Sequence, residues 1–300
     1  MMTSGQASWD PGKCTSRSAG IACSLALLLG VSAVGIPLRV DAQWISPPGE
    51  GWASITFFHH DTERTFDTEG ERRLIFADGR AVTRSVFVTA NVGVWRGIDL
   101  WVQLPFHHLR FNNAGGERVS SGLSDPRGFV RIGPALVGLP PWPVAVRGGF
   151  KLDSGDFDVD SEIIPLGEGQ RDWELLLEAG QSFYPRPFWT MGWIGYRWRL
   201  ENVSAGREPG DELFWWWSVG GEVGRFGWQG SLEVISGEAW TIQGLPIERA
   251  RRELNQLFLQ VDHPAGPGRI SLGGRIPLSG RNLPAGPALT AGYFVRWGSD

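Results

Sequence analysis

RSVFVTANVGVWRGIDLWVQLPFH, residues 84–107, reads as two strands folded back on a short turn at Trp95-Arg96-Gly97. In the second arm Ile98, Leu100, Val102, Leu104 and Phe106 alternate with Asp99, Trp101, Gln103, Pro105 and His107. In the first, Val86, Val88, Ala90, Val92 and Val94 alternate with Phe87, Thr89, Asn91, Gly93 and Trp95. A period of two places each set on its own face of a sheet. One such hairpin fits a soluble sandwich. The rest of the chain repeats the pattern too often, and with other loop lengths, for a sandwich to hold.

From Gln43 onward about twelve candidate strands follow one another, the first at 51–60 and the last at 288–297. Between the opening hairpin and the last strand the pattern recurs at 127–136, 143–153, 171–183, 187–200, 212–224, 227–236, 253–262 and 269–278. Long polar connections are expected at 61–83, 110–124, 154–170, 201–211 and 237–252, alternating with short turns such as Arg96-Gly97, Tyr184-Pro185-Arg186 and Arg225-Phe226. Long–short alternation is the signature of an up-and-down barrel with two unlike rims. Greek-key crossings in a sandwich give no reason for it.

Face polarity separates a soluble barrel from a membrane barrel. One face carries Val, Leu, Ile, Phe, Trp and Gly, almost free of charge. The other collects Asp99, Gln103, Arg131, Arg147, Lys151, Asp153, Glu178, Arg197, Glu222, Glu233, Gln260, Asp262 and Arg275. Apolar outside and polar inside is the outer-membrane arrangement, because lipid cannot hydrate charge and a closed sheet leaves no unpaired edge. Trp52, Trp95, Trp142, Trp173, Trp228 and Trp297 stand near strand ends, where interfacial aromatic girdles belong. The expected fold is therefore all-β: a transmembrane antiparallel up-and-down barrel over 43–300, in the cell outer membrane, its outer face against lipid.

The composition agrees. A formal net charge of -4 gives no argument for nucleic acid. Gly 42 and Trp 16 are both high, lysine is scarce against arginine, and no long stretch carries a helical apolar period. Residues 1–42 read as a removed signal peptide: Lys13 and Arg17, the apolar run Ile21 to Val34, then Val40-Asp41-Ala42 before Gln43. Cys23 sits near the start of the apolar run instead of its end, which disfavours a lipoprotein. Cys14 and Cys23 would both leave with the signal, so the mature chain would hold no thiol, disulfide or cysteine metal site. The last strand, ALTAGYFVRW, resembles the C-terminal signal read by barrel assembly machinery, although Gly298, Ser299 and Asp300 follow Trp297.

The inward charges admit two readings: a selectivity wall for a solute path, or cross-strand pairs that fill a narrow polar interior. The pairs His59-His60 and His107-His108 would lie about 10 Å apart on strands flanking a third, too far for a shared metal, and read as interfacial. A barrel of this size resembles the outer-membrane phospholipase, but the His-x-Ser of that family is absent. The acidic runs Asp153 to Asp160 and Glu168 to Asp172 could bind calcium or hold a carboxylate pair, yet surface loops are commonly acidic for solubility. Neither a cofactor nor a catalytic residue is expected.

GLSDPRG (122–128), GGFKLDSG (148–155) and LGEGQRDWELLLEAG (166–180) resemble a recurrent pattern of the outer-membrane family grouped under the meta-pathway of phenol degradation. Gly122, Asp125, Gly149, Lys151, Gly155, Leu166, Gly167, Gly169 and Asp172 match its positions, while Asp153-Ser154 stands where Pro-Thr is usual. The resemblance implies an outer-membrane barrel grouped with transporters and channels, with Lys151 aimed inward beside acidic partners; it transfers no substrate. The expected function is passive passage of small solutes, including hydrophobic or aromatic ones. The rivals are a structural or adhesive barrel with a closed interior and, more weakly, an outer-membrane enzyme.

Overall fold

The computed structural model describes residues 45–76, 78–155 and 164–298. Residues 1–42, the expected signal segment, lie outside the described residues, as does the part of the acidic loop at 156–163. Twelve strands form one closed antiparallel barrel. They are β1 (Gly51–Thr62), β2 (Arg80–Trp95), β3 (Ile98–Asn113), β4 in two arms (Gly116–Leu123 and Arg127–Ile132), β5 (Val144–Lys151) and β6 (Asp172–Ser182). The circuit continues with β7 (Phe188–Arg199), β8 (Glu212–Val223), β9 (Phe226–Gly237), β10 (Glu253–Ala265), β11 (Gly268–Arg281) and β12 (Ala288–Trp297). Every neighbour in the wall is a neighbour in sequence, and β12 returns to β1 from Gly51↔Trp297 to His60↔Ala288. The wall closes on itself through Arg127–Ile132, while the upper arm Gly116–Leu123 pairs with β3 alone among the described residues.

The opening hairpin lies in the expected register, with Val88↔Leu104 and Ala90↔Val102 on one face and Thr89↔Gln103 and Asn91↔Trp101 on the other. Exposed Val88, Val92, Leu100, Val102, Leu104 and Phe106 stand on the outer surface, and Asn91 and Asp99 are buried inside. The same parity continues round the wall, through exposed Val146, Phe150, Leu175, Leu177, Leu259, Val261, Leu272 and Leu289. A closed sheet with this exterior is an outer-membrane barrel, located in the cell outer membrane.

Three sequence expectations need correction. Residues 110–124 are not a loop: β3 runs to Asn113, turns at 114–115 and pairs back from Asn113↔Gly116 to Phe106↔Leu123. The outer face above Phe106 meets water and headgroups, so apolar alternation stops there although backbone pairing continues. The sequence pattern marks where the membrane ends, not where the sheet ends. The connection after β4, at 133–143, is no short turn; it carries a 3-10 turn at Pro134–Val137. Trp52 belongs to no girdle, because it faces inward with Asn91 and packs edge-on against Trp101 at 4.8 Å. Trp95, Trp142, Trp173, Trp228 and Trp297 are exposed, as the girdle reading requires.

On the long-loop side two small sheets extend the barrel. One pairs Arg64–Phe66 with Arg72–Leu74 and Leu283–Pro284, the other Arg207–Glu208 with Trp240–Ile242 and Leu245–Ile247. At the opposite rim, residues 46–50 tuck against the inside: the Ser46 backbone N–H donates to Asp99 Oδ2 at 3.0 Å and the Ser46 hydroxyl to Asn91 Oδ1. Gly93 allows this approach, since a Cβ there would lie 2.0 Å from the Pro47 carbonyl oxygen.

Candidate functional site

The interior has two unlike walls. On β3 to β8 the inward positions form a continuous lattice of paired charge. Near the short-turn rim, Arg131 Nη2 donates to Asp99 Oδ2 at 2.6 Å. Its Nη1 reaches Glu178 at 3.5 Å, and Arg147 Nε lies 3.0 Å from the same carboxylate. The Arg147 guanidinium is also enclosed by the rings of Trp101, Phe129 and Trp193, each between 5.2 and 5.3 Å away. Further along, Glu174 and Glu212 take Arg197 at 2.9 and 2.7 Å. Glu212 also pairs with Arg199 at 3.3 Å and with Arg252.

At the long-loop end the lattice captures the connection between β5 and β6. Lys151 Nζ contacts Asp172 at 3.1 Å and Asp125 at 3.4 Å, and donates to Glu168. Asp125 sits in the break between the arms of β4 and accepts from the backbone N–H of Gly155 at 2.9 Å and of Glu168 at 2.8 Å. Leu166 and Gln170 are buried. Residues 164–170 of this connection therefore fold inward. Burial pushes the Glu168 carboxyl up, but Arg199, Lys151 and Arg252 outweigh it and hold the group ionised well below the usual range.

The family-like motif is this knot. A Cβ on Gly167 would lie 2.4 Å from Asp125 Oδ1, and one on Gly155 would lie 2.8 Å from the Gly167 Cα. Gly167→Ala is therefore expected to unseat the connection, read as faster proteolytic cleavage between 152 and 171 with the barrel still folded.

The second wall, β9 to β12 with β1 and β2, is different. Its inward positions are mostly hydroxyl, amide and aromatic: Ser54, Thr56, Phe58, Phe87, Ser231, Gln260, Ser271 and Phe294. Its charges are few: Arg275 pairs with Glu233 at 2.9 Å, Arg269 with Asp262 and, at 3.5 Å, with Glu222, and Arg296 lies over the Phe294 ring. These side chains point into the barrel, yet solvent reaches 37% of Arg275 and 28% of Glu233. In the lattice the values fall to 0% for Asp99 and Glu212 and 7% for Glu178, rising to 24% for Arg252 and 39% for Glu168 at the long-loop end.

The residues expected on the inward face thus divide. Asp99, Arg131, Arg147, Lys151, Glu178 and Arg197 belong to the buried lattice. Glu233, Asp262 and Arg275 stand on the solvated wall, and Gln103 is half-buried beside Thr89. Glu222 is 62% exposed at the short-turn rim. Asp153 departs from expectation: β5 ends at Lys151, and Asp153 pairs with Arg171 on the exposed loop.

Sequence reasoning missed Asp125, Glu168, Asp172 and Arg252 as lattice members, since they sit at strand ends or in loops where parity gives no face. It also missed Arg127, which shares its ladder rung with Gln103 and Lys151 and makes no ion pair among the described residues. Of the histidines, His60 meets the Gly286 carbonyl oxygen at 3.1 Å and His107 meets Ser85 Oγ at 2.7 Å, both inside. Among the described residues no group of three or more His, Cys, Asp or Glu is placed to hold a metal ion.

No protein-family model matches the chain, and no curated protein matches it in sequence. Solved structures do match in fold. One is the COG4313 outer membrane channel from Pseudomonas putida F1, with a TM-score of 0.68 and 13% identity over 87% of this chain and 100% of that one. Another is the β domain of the Bordetella autotransporter BrkA, with a TM-score of 0.51 and 11% identity over 84% and 100%. Both agree with the barrel that the sequence motif implied.

Proposed function

We propose that this barrel is a channel for passive passage of small solutes through the outer membrane, along the solvated wall of β9 to β12, β1 and β2. The observation that supports it is the accessibility of the inward Glu233–Arg275 pair within a closed sheet. A filled, purely structural barrel would bury these groups as deeply as Asp99 and Glu212. The lattice on β3 to β8 then acts as scaffold: it fixes the inward connection at 164–170 and narrows the lumen to one side.

The chemistry of the open wall suits a solute with an apolar ring and a polar substituent. Phe58, Phe87 and Phe294 alternate with Ser54, Thr56 and Thr89, so stacking surface and hydrogen-bonding groups lie side by side. The name of the similar Pseudomonas structure, an outer membrane channel, points the same way. In planar bilayers, refolded chain 43–300 is expected to give discrete, ohmic current steps. Silence from protein shown to be folded would overturn the channel and favour a closed structural barrel.

A further inference from the structure

Above the apolar band, the outer face of β1 to β4 changes character within one cross-strand row. Phe57, Val88, Leu104 and Phe106 are exposed apolar residues on the lipid-facing surface. The next row up is His59↔Arg84↔His108↔Ser121, four laterally paired positions that share this outer face. Higher again stand Asp61 and Arg110, then Arg80 and Glu117. Between them lies a cavity of about 200 Å³ bounded by Arg80, Arg84, His108 and Arg110, with Asp61 and Val82.

The charges there are not all satisfied. Arg80 forms a two-point pair with Asp61, at 2.8 and 2.6 Å, and Arg110 pairs with Glu117 at 2.5 Å. His108 Nδ1 lies 2.6 Å from the Ser121 hydroxyl. The Arg84 side chain, in the middle, makes no hydrogen bond or ion pair with any described residue, although its backbone belongs to the ladder. An arginine at the edge of hydrocarbon, without a protein partner, is matched by an anion supplied from the membrane surface. Arginine binds phosphate oxygens through parallel N–H donors, and the flanking His59 and His108 add imidazole nitrogens within the same row.

We propose that this face is a binding site for a phosphate-bearing lipid headgroup of the outer leaflet, with Arg84 as its central contact. The geometry favours lipid over a soluble anion. The cavity lies on the outer face, in the rows next above Val86 and Phe106, where acyl chains would end, and it is outside the lumen. The site is separate from the solute path, and its failure would leave the channel reading intact.

The test uses folded chain 43–300 in zwitterionic detergent, with binding followed by calorimetry. Three probes are compared: diphosphoryl lipid A, the same lipid without its phosphates, and inorganic phosphate. The phosphorylated lipid is expected to bind at least tenfold more tightly than either of the others. Arg84→Ala should weaken it at least fivefold, and Arg84→Lys less. Heat-modifiable gel mobility verifies that each variant is folded, which an exposed outer side chain should not affect. Equal binding of both lipids, or no effect of Arg84→Ala, would overturn the proposal. Inorganic phosphate binding as tightly as lipid, and lost in Arg84→Ala, would also overturn it by assigning the site to a free anion.

Discussion

Replacing Lys151 with methionine is expected to cost about 3–5 kcal/mol of barrel stability, the usual penalty for removing one partner from a buried ion pair. The ammonium is 4% exposed, as is Asp125, and Asp172 is 3% exposed. Methionine fills the volume but leaves Asp125, Glu168 and Asp172 facing one another with only the arginines to compensate. The loss should appear in urea unfolding of the refolded protein as a lowered midpoint with unchanged slope. The inward connection should loosen with it. An unchanged midpoint would show that the lattice does not hold the fold. Glu168 is kept ionised well below the usual carboxylate range, so its share of the lattice is complete above the ordinary glutamate pKa. That share should be lost only as acid takes the pH through the depressed value.

Neutralising either member of the Glu233–Arg275 pair should have the opposite profile, with little change in stability and a large change in ion selectivity. More than a quarter of each side chain is solvated, so the pair contributes at most about 1 kcal/mol to folding. An ion passing ~8 Å away would feel a unit charge by about 0.5–2 kcal/mol for an effective dielectric between water and protein surface, roughly a two- to thirtyfold change in permeability ratio. Glu233→Gln should shift the reversal potential toward anions, and Arg275→Gln toward cations. Equal, unshifted selectivity in both variants would remove this wall from the ion path.

The barrel was legible because lipid enforces alternation: Val88, Leu100 and Leu104 must face out, so Asp99 and Gln103 must face in. Strand ends were less legible for the same reason. Above Phe106 no solvent penalty sorts the faces, and residues 116–123 therefore looked like a loop although they pair with β3. Inward charge could be read from parity, but whether it was buried or wet could not. Arg147 and Arg275 are both inward arginines on regular strands. One is caged by Trp101, Phe129 and Trp193; the other lies over the Phe258 ring at 5.3 Å with Ala288 on its other flank, and keeps water. That difference depends on strands distant in sequence. Lys151 shows the consequence: a position expected to line a solute path proves to be a buried tie for Glu168 and Asp172.

Gln260 faces the lumen at the middle of β10, between Gln229 and Gly273 on the neighbouring strands. Chain 43–300 contains no cysteine, so Gln260→Cys introduces a single thiol. The decisive measurement is the single-channel current of this variant during addition of a charged methanethiosulfonate reagent. A lumen open along β9 to β12 predicts ohmic steps that fall to a lower level as each thiol is modified, reversed by reductant. Steps that persist unchanged although mass spectrometry shows the thiol modified would place the current elsewhere and contradict a solute path along this wall.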